Sequence, residues 1–181
     1  MPLSGSGGGG VRRPAAPAAV DPEDREAAAA MAQRLLAITD RSRVELQRRL
    51  ERRGYAAATA AEAVDRLVAR GWVDDARLAE DLVRRRSSHG FGRRRVLADL
   101  VARGVDPETV RRTAAELTAG QDDAVRVAAA RLRHGQVGPP APDEVRRLAA
   151  ALQRRGFDMA DIRAELRRLC SDLAGEPDGE G

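Results

Sequence analysis

The sequence predicts an all-α protein made of three tandem three-helix repeats in an elongated, curved array. The phrase Leu-x-x-Arg-Gly-apolar occurs four times, at residues 50–55, 67–72, 100–105 and 152–157. A left-handed glycine that follows a helix, with apolar residues on either side at these positions, is typical of a Schellman ending. Three of the glycines, at positions 54, 104 and 156, lie 50 and 52 residues apart, which indicates an internal repeat.

The composition favours packed helices over sheets. Aromatic residues make up only 2% of the 181 residues, so Leu, Val and Ala must fill the interior. Apolar residues recur at helical spacing, as in Val110, Ala114 and Leu117, and strand patterns are absent. A unit of about 50 residues buries little surface alone, so we expect the stacking of units to supply stability.

The chain begins with a Gly/Pro/Ala-rich segment, residues 1–21, that is predicted to be a disordered tail. The first repeat, residues 22–71, has predicted helices at 22–38, 43–53 and 60–70. Asp21-Pro22 predicts an N-cap followed by proline at the first helical position. Ser42-x-x-Glu45 and Thr59-x-x-Glu62 predict capping boxes for the next two helices.

The second repeat, residues 72–120, has predicted helices at 75–89, 93–103 and 107–119. The third repeat, residues 121–173, has them at 122–134, 143–155 and 159–173, with a Pro-rich loop at 135–142 because three prolines there forbid a continuous helix. Residues 174–181 are predicted to be a disordered acidic tail.

The strongest charge feature lies in the second repeat. The segment 84–95 contains no carboxylate and six arginines: Arg84, Arg85, Arg86, Arg93, Arg94 and Arg95. Because Gly90 and Gly92 predict a tight turn between helices, we expect the two triplets to meet in a basic patch for phosphate or an acidic protein surface. The alternative is that arginine simply occupies solvated helix faces, as the residue this chain uses for all its cations.

A secondary basic stripe is predicted from the second helices of the outer repeats. Its members are Arg48, Arg49, Arg52, Arg53, Arg146, Arg147, Arg154 and Arg155. They form one stripe with the basic patch only if the repeats stack in register. The net charge is +4, from 32 basic and 28 acidic residues, so most arginines have a carboxylate to pair with.

The segment after the second glycine phrase places Asp74 as an N-cap and Asp75 at the first helical position, where the helix dipole favours a carboxylate. Trp72 is expected to pack against the end of the preceding helix. Two adjacent aspartates without converging ligands do not form a metal site, so we predict neither a metal nor a cofactor.

Catalysis and membrane insertion find no support in the sequence. Both histidines, His89 and His134, are predicted at helix C-termini, and Cys170 is expected to be a small core residue. P-loop and dinucleotide motifs are absent, as is an apolar stretch of about 20 residues. Without the apolar centre of a secretory signal, a cytoplasmic protein that is not an enzyme is predicted.

Three segments carry a resemblance to a known family. They are Ser42-Arg43-Val44-Glu45-Leu46 with Leu50 and Gly54-Tyr55; Gly71-Trp72-Val73-Asp74-Asp75-Ala76-Arg77-Leu78-Ala79; and Arg84, Gly90, Gly92, Arg95, Leu100 and Gly104-Val105. In order and spacing they resemble the RecX family of recombination regulators, over roughly residues 25–120. The motif positions outside the first segment include Trp72, Asp74, Asp75, Arg77, Gly90 and Gly92.

The resemblance implies three tandem three-helix repeats. It also implies a protein that binds the RecA recombinase and its filament on single-stranded DNA and inhibits filament growth, ATP hydrolysis and strand exchange, without catalytic residues. The alternative function is direct DNA binding without a recombinase partner, with residues 93–103 as a recognition helix. Against it, the chain contains no asparagine for base readout. A scaffold that only joins other proteins is a third interpretation.

Overall fold

The computed structural model describes residues 20–118, 121–134, 136 and 139–171. Within these ranges the chain forms nine α-helices and no strands, so the predicted all-α fold is confirmed. The helices are α1 (Arg25–Ile38), α2 (Arg43–Glu51), α3 (Ala57–Ala69), α4 (Asp75–Ser88), α5 (Arg93–Ala102), α6 (Pro107–Thr118), α7 (Gln121–Leu132), α8 (Pro142–Arg154) and α9 (Met159–Ser171). The predicted tails lie outside the described residues, except residues 20 and 21.

The helices pack in three successive groups of three, each around its own core. The leucines of the repeated phrase lie at the same place in each group: Leu50, Leu100 and Leu152 are fully buried. Each is joined by the residue that follows the glycine, Tyr55, Val105 or Phe157, in the same core. The prediction of tandem three-helix repeats is therefore confirmed.

All four predicted Schellman endings are present. The φ angles of Gly54, Gly71, Gly104 and Gly156 are +100°, +70°, +69° and +86°. In each ending the N–H of the next residue donates to the leucine carbonyl, for example from Trp72 to Leu67 at 2.9 Å and from Phe157 to Leu152 at 3.2 Å. A fifth ending of this type is present at Gly90. It has no leucine at the corresponding position, so the repeated phrase did not predict it.

Two predicted helix starts are wrong. Helix α1 begins at Arg25 rather than residue 22, and Asp24, not Asp21, is its N-cap, accepting from the Ala27 N–H at 2.9 Å. Helix α3 begins at Ala57, before the predicted capping box at Thr59, and its N-cap Ala56 makes no side-chain bond.

These two starts are coupled by tertiary contact. The Ala56 N–H donates to the carbonyl of Pro22 at 2.9 Å, so the segment before α1 lies against the start of α3. Thr59 is then the third residue of α3, and it is buried against the core instead of capping the helix. The capping box at Ser42 is confirmed on the N-cap side, where its hydroxyl accepts from the Glu45 N–H at 3.0 Å.

The second helices of the three groups follow one another end to end. At the first junction the C-terminal end of α5 lies on the N-terminal end of α2, where the Ser42 hydroxyl donates to the Arg103 carbonyl. At the second junction the C-terminal end of α8 lies on the N-terminal end of α5, and the Gly92 N–H donates to the Arg155 carbonyl at 2.8 Å. Helices α8, α5 and α2 therefore form one row, called here the central row, in which carbonyl ends meet N–H ends.

Two further observations bear on the predictions. Cys170 is exposed, so its predicted place in a core is wrong. From α9, the partly buried Leu166 and Leu169 pack against the core of the third group instead. None of the described helices is both long enough and apolar enough to cross a bilayer.

Candidate functional site

The predicted basic patch contains carboxylates that come from outside segment 84–95. Five of its six arginines form ion pairs: Arg84 with Asp81, Arg86 with Asp99 at 2.7 Å, Arg95 with Asp99 at 3.5 Å, and Arg93 and Arg94 with Asp158 at 3.1 and 3.8 Å. Asp99 thus joins the two triplets across the Gly90 turn. Arg85 makes no ion pair with a described residue.

Two members of the patch have structural contacts. The guanidinium of Arg86 lies 5.1 Å from the ring centre of Phe91, a cation–π contact. Arg93 donates to the Thr118 hydroxyl at 3.1 Å as well as to Asp158, so it links the second and third groups. Both side chains are about one-third exposed, whereas 75% of Arg84 and 65% of Arg94 is exposed.

Three carboxylates along the central row are each shared by two arginines. Asp99 and Asp158 have the partners already given, and Glu45 accepts from Arg41 at 2.5 Å and lies 3.4 Å from Arg49. A carboxylate that faces two guanidinium groups leaves one positive charge without compensation. The central row therefore has an excess of positive charge at each of these three places.

The α2 part of the basic stripe is partly tied to its own helix end. The Arg52 Nε donates to the Arg48 carbonyl at 3.1 Å, and the Arg53 Nη1 donates to the Arg49 carbonyl at 3.3 Å. These bonds satisfy carbonyls that the end of the helix leaves open. The side chains of Arg48 and Arg52 are exposed and make no ion pair with a described residue.

The four arginines of the α8 part of the stripe lie in three different environments. Arg147 and Arg154 line a cleft of about 520 Å³ in the third group, and neither pairs with a described carboxylate. Arg146 pairs with Asp143. Arg155 turns toward the second group and donates to the carbonyls of His89 and Gly90 at 3.2 and 3.4 Å, so the structure places it in the junction.

The two adjacent aspartates have different roles. Asp74 caps α4 as predicted, accepting from the Ala76 and Arg77 N–H groups at 2.9 and 3.0 Å. Asp75 accepts from the N–H groups of Arg43 at 2.9 Å and Asp106 at 3.2 Å, and so connects α4 with α2 and with the start of α6. No local pattern could have revealed this contact, because both donors lie more than 30 residues away along the chain.

Trp72 does not pack as predicted. Its N–H makes the Schellman bond, but half of its side chain, 50%, is exposed. The indole lines a shallow groove with Leu36, Ala37 and Arg77. Val73, the next residue, takes the core position and is only 4% exposed.

Close packing requires glycine at position 92, and a left-handed conformation requires it at position 90. A Cβ at Gly92 would lie 2.5 Å from the Gly156 carbonyl oxygen and 2.5 Å from the Phe157 nitrogen, both backbone atoms. Gly90 has a φ of +72°, and a Cβ there would lie 3.1 Å from the Arg155 Nη1. The turn between α4 and α5 thus receives the end of α8 at a distance that no side chain allows.

Two carboxyl groups have shifted pKa values. Hydrogen bonds from the Thr109 side chain, and then from its backbone N–H, lower the pKa of Asp106. Burial raises the pKa of Asp161, and the neighbouring Asp158 and Asp122 add to that effect. Within the described residues no group of three or more His, Cys, Asp or Glu side chains is placed to hold a metal ion.

Comparison with known proteins gives consistent results. Residues 28–67 match the family model described as RecX, first three-helix domain, and residues 74–113 match that for RecX, second three-helix domain. The chain is 36% identical over 165 residues to the regulatory protein RecX of Mycobacterium ulcerans, covering 90% of this chain and 94% of the relative. It is 40% identical over 135 residues to that of Stenotrophomonas maltophilia, covering 74% and 81%.

A solved structure has a similar fold. The crystal structure of RecX from Lactobacillus salivarius superimposes with a TM-score of 0.66, covering 81% of this chain and 96% of that one. The two sequences are only 18% identical, so this likeness supports the fold and no finer detail.

Proposed function

Because the chain belongs to the RecX family of regulatory proteins, we propose that it binds the RecA recombinase, in particular its filament on single-stranded DNA. Binding inhibits filament growth, ATP hydrolysis and strand exchange, and so modulates recombination, DNA repair and the SOS response in the cytoplasm. The protein acts as a regulator and needs no cofactor.

The observation that carries this proposal is the end-to-end central row of α8, α5 and α2 with its excess of arginine. A row of helices that presents positive charge at repeated places fits a long polymer with repeated negative charge better than it fits a small ligand. A recombinase filament on DNA offers acidic protein surface and phosphate along its length.

The exposed members of the basic patch make the contact in this mechanism: Arg84, Arg85, Arg94 and Arg95. Arg86 and Arg93 hold the patch in shape through Phe91 and Asp158. A chain bound along the filament obstructs the addition of recombinase subunits and the motions coupled to hydrolysis. Since the contacts are charged and exposed, inhibition should weaken as salt rises.

The test is the ATPase activity of the recombinase on single-stranded DNA with substoichiometric amounts of this protein. Wild-type chain should inhibit. The double reversal Arg85→Glu and Arg94→Glu should raise the concentration needed for half-inhibition at least about tenfold, because like charges across an interface cost several kcal/mol. Both side chains are exposed, and the Asp158 that Arg94 leaves still pairs with Arg93, so helicity should not change.

The control is Arg163→Glu and Arg167→Glu on α9, which changes the net charge equally at two exposed arginines without ion pairs to described residues. Equal inhibition by the patch variant and the control would remove the patch from the mechanism. Failure of the wild-type chain to inhibit would contradict the proposed function itself. If bare single-stranded DNA is bound as tightly as recombinase-coated DNA, direct DNA binding is the better description.

A further inference from the structure

A second basic surface lies beside the central row, in a cleft of about 410 Å³ between the first and second groups. Five arginines and three carboxylates line this junction cleft. The arginines include Arg41 and Arg103, which belong neither to the basic patch nor to the basic stripe. Clefts of this size are typical of ligand sites in proteins.

Arg41 forms the most buried part of the junction cleft. Its side chain is 8% exposed, its Nη1 pairs with Glu45 at 2.5 Å, and its Nε has no hydrogen-bond partner. Glu45 is shared with Arg49, so it compensates less than the full charge of Arg41. A buried guanidinium with an unsatisfied N–H and a shared counter-ion favours the approach of an anion.

The walls of the junction cleft add further positive charge. Arg48 lies on α2 and Arg52 is the C-cap residue four positions later, so the two lie on one face about 6 Å apart along the axis. Arg103, at the end of α5, faces them across the cleft and is half-buried. None of these three arginines pairs with a described carboxylate.

The same construction recurs in the third group. There Arg133, also about nine-tenths buried, pairs with Glu144 at 3.0 Å at the side of a cleft that Arg147 and Arg154 line. Each cleft thus combines a buried arginine from the segment between the group's first and second helices with two exposed arginines of the second helix or its C-cap. Repetition of one anion-attracting device along the chain fits a ligand whose negative charge also repeats.

We infer that the junction cleft binds a phosphate of a nucleic-acid backbone, with Arg48, Arg52 and Arg103 as its direct contacts. Guanidinium groups match phosphate oxygens with two parallel hydrogen bonds, and a phosphodiester backbone supplies the repeated anion. Arg41 acts as a positioning residue, because its buried charge strengthens the field at the cleft. This inference deepens the proposed function, on which it rests for the identity of the polymer, by giving this chain a DNA contact of its own.

The test measures binding of a fluorescein-labelled oligothymidylate to the full chain by anisotropy, without recombinase, over a series of salt concentrations. Arg48→Ala with Arg52→Ala should weaken binding at least about tenfold at low salt. The slope of log affinity against log salt should become shallower by about 1.4, as expected for the loss of two contacts to single-stranded phosphates.

The matched control is Arg163→Ala with Arg167→Ala, which has the same spacing, exposure and charge loss on α9. This control should retain most of the affinity for oligothymidylate and most of the slope of log affinity against log salt. Circular dichroism and thermal melting of both variants verify that the helices are intact, which is expected because all four side chains are exposed and form no ion pair with a described residue.

Equal losses of oligothymidylate affinity in the two variants would overturn the inference, since any two exposed arginines would then contribute equally to binding. Absence of oligothymidylate binding by the wild-type chain at low salt would overturn it too and would assign the cleft to an acidic protein surface. Neither result depends on recombinase inhibition, which is measured separately. A variant that loses DNA binding but still inhibits the recombinase would support the cleft and separate it from the patch.

Discussion

The two junctions of the central row have equivalent hydrogen-bond acceptors but different hydrogen-bond donors. In both, a carbonyl of the residue before a left-handed glycine, Arg103 or Arg155, accepts from the N-cap residue of the preceding second helix. At the first junction the donor is the Ser42 hydroxyl, and at the second it is the Gly92 N–H. Ser42 and Gly92 are 50 residues apart and are equivalent in the repeat.

This difference shows how a repeat can keep its stacking while the sequence changes. A serine side chain spans the gap at the first junction, and Asp75 adds two further bonds there. At the second junction the backbones touch directly, and Arg94 N–H also donates to the Gly156 carbonyl at 3.0 Å. At the N-cap position, the first junction therefore depends on the Ser42 side chain, whereas the second depends on the absence of a side chain at Gly92.

The largest effect is expected from Gly92→Ser, which places the residue of the first junction in the second. Serine is at least as good an N-cap as glycine, so the helix alone would predict no loss. The new Cβ would lie 2.5 Å from two backbone atoms, so we expect the free energy of unfolding to fall by about 3 kcal/mol. Chemical denaturation measures this change, and hydrogen exchange should show the loss in α8 and α9 first.

The reciprocal variant, Ser42→Gly, is the control. It removes the two hydrogen bonds of the Ser42 hydroxyl, to the Arg103 carbonyl and from the Glu45 N–H, and creates no clash. Because glycine replaces serine at an N-cap for only a few tenths of a kcal/mol, the variant should cost only about 1 kcal/mol. If the two exchanges cost the same, the contrast between a side-chain junction and a backbone junction is wrong.

A smaller effect is expected from Asp75→Asn at the first junction. The amide retains one acceptor oxygen, so either the Arg43 N–H or the Asp106 N–H loses its partner. A lost hydrogen bond to a carboxylate costs about 2 kcal/mol. Asp74→Asn is the matched control, because asparagine caps helices as well as aspartate does, and it should change the unfolding free energy very little. Equal losses of unfolding free energy at the two positions would show that Asp75 stabilises only α4 and not the junction.

The smallest effect is a pH dependence at the start of α6, beside the first junction, where the Asp106 carboxylate accepts from the Thr109 N–H at 2.9 Å. The pKa of Asp106 is lower in the folded chain than its ordinary value of 3.8. Its contribution to stability is therefore full above that value and disappears as the pH falls through the folded pKa. Melting temperatures of the wild type and Asp106→Asn, measured from pH 7 to pH 3, should converge on the acid side. A constant difference over this range would contradict the prediction.

Features that depend on neighbours in sequence were predicted correctly. The glycine endings at 54, 71, 104 and 156 are confirmed because a Schellman ending involves only six consecutive residues. The N-caps at Ser42 and Asp74 follow the same logic. Helix starts at Thr59 and Asp21 were wrong because the contact between Pro22 and Ala56 decides where α1 and α3 begin.

The candidate site was predicted less completely than the fold. Sequence alone brought together the two arginine triplets, which Asp99 indeed joins. It missed Asp81, Asp99 and Asp158 as their partners, and it missed the buried Arg41 and the role of Asp75. These contacts join residues on different helices, so their formation depends on how the groups stack.

The sequence by itself determined that this chain is a helical repeat of the RecX family, because helix endings, caps and apolar spacing act over a few residues. Only the tertiary structure decided which arginines have a positive charge that no carboxylate neutralises. An ion pair depends on the distance between two side chains, and residues such as Arg93 and Asp158 come within 3.1 Å only after the groups have packed. The surface that a partner meets is therefore what remains after internal pairing.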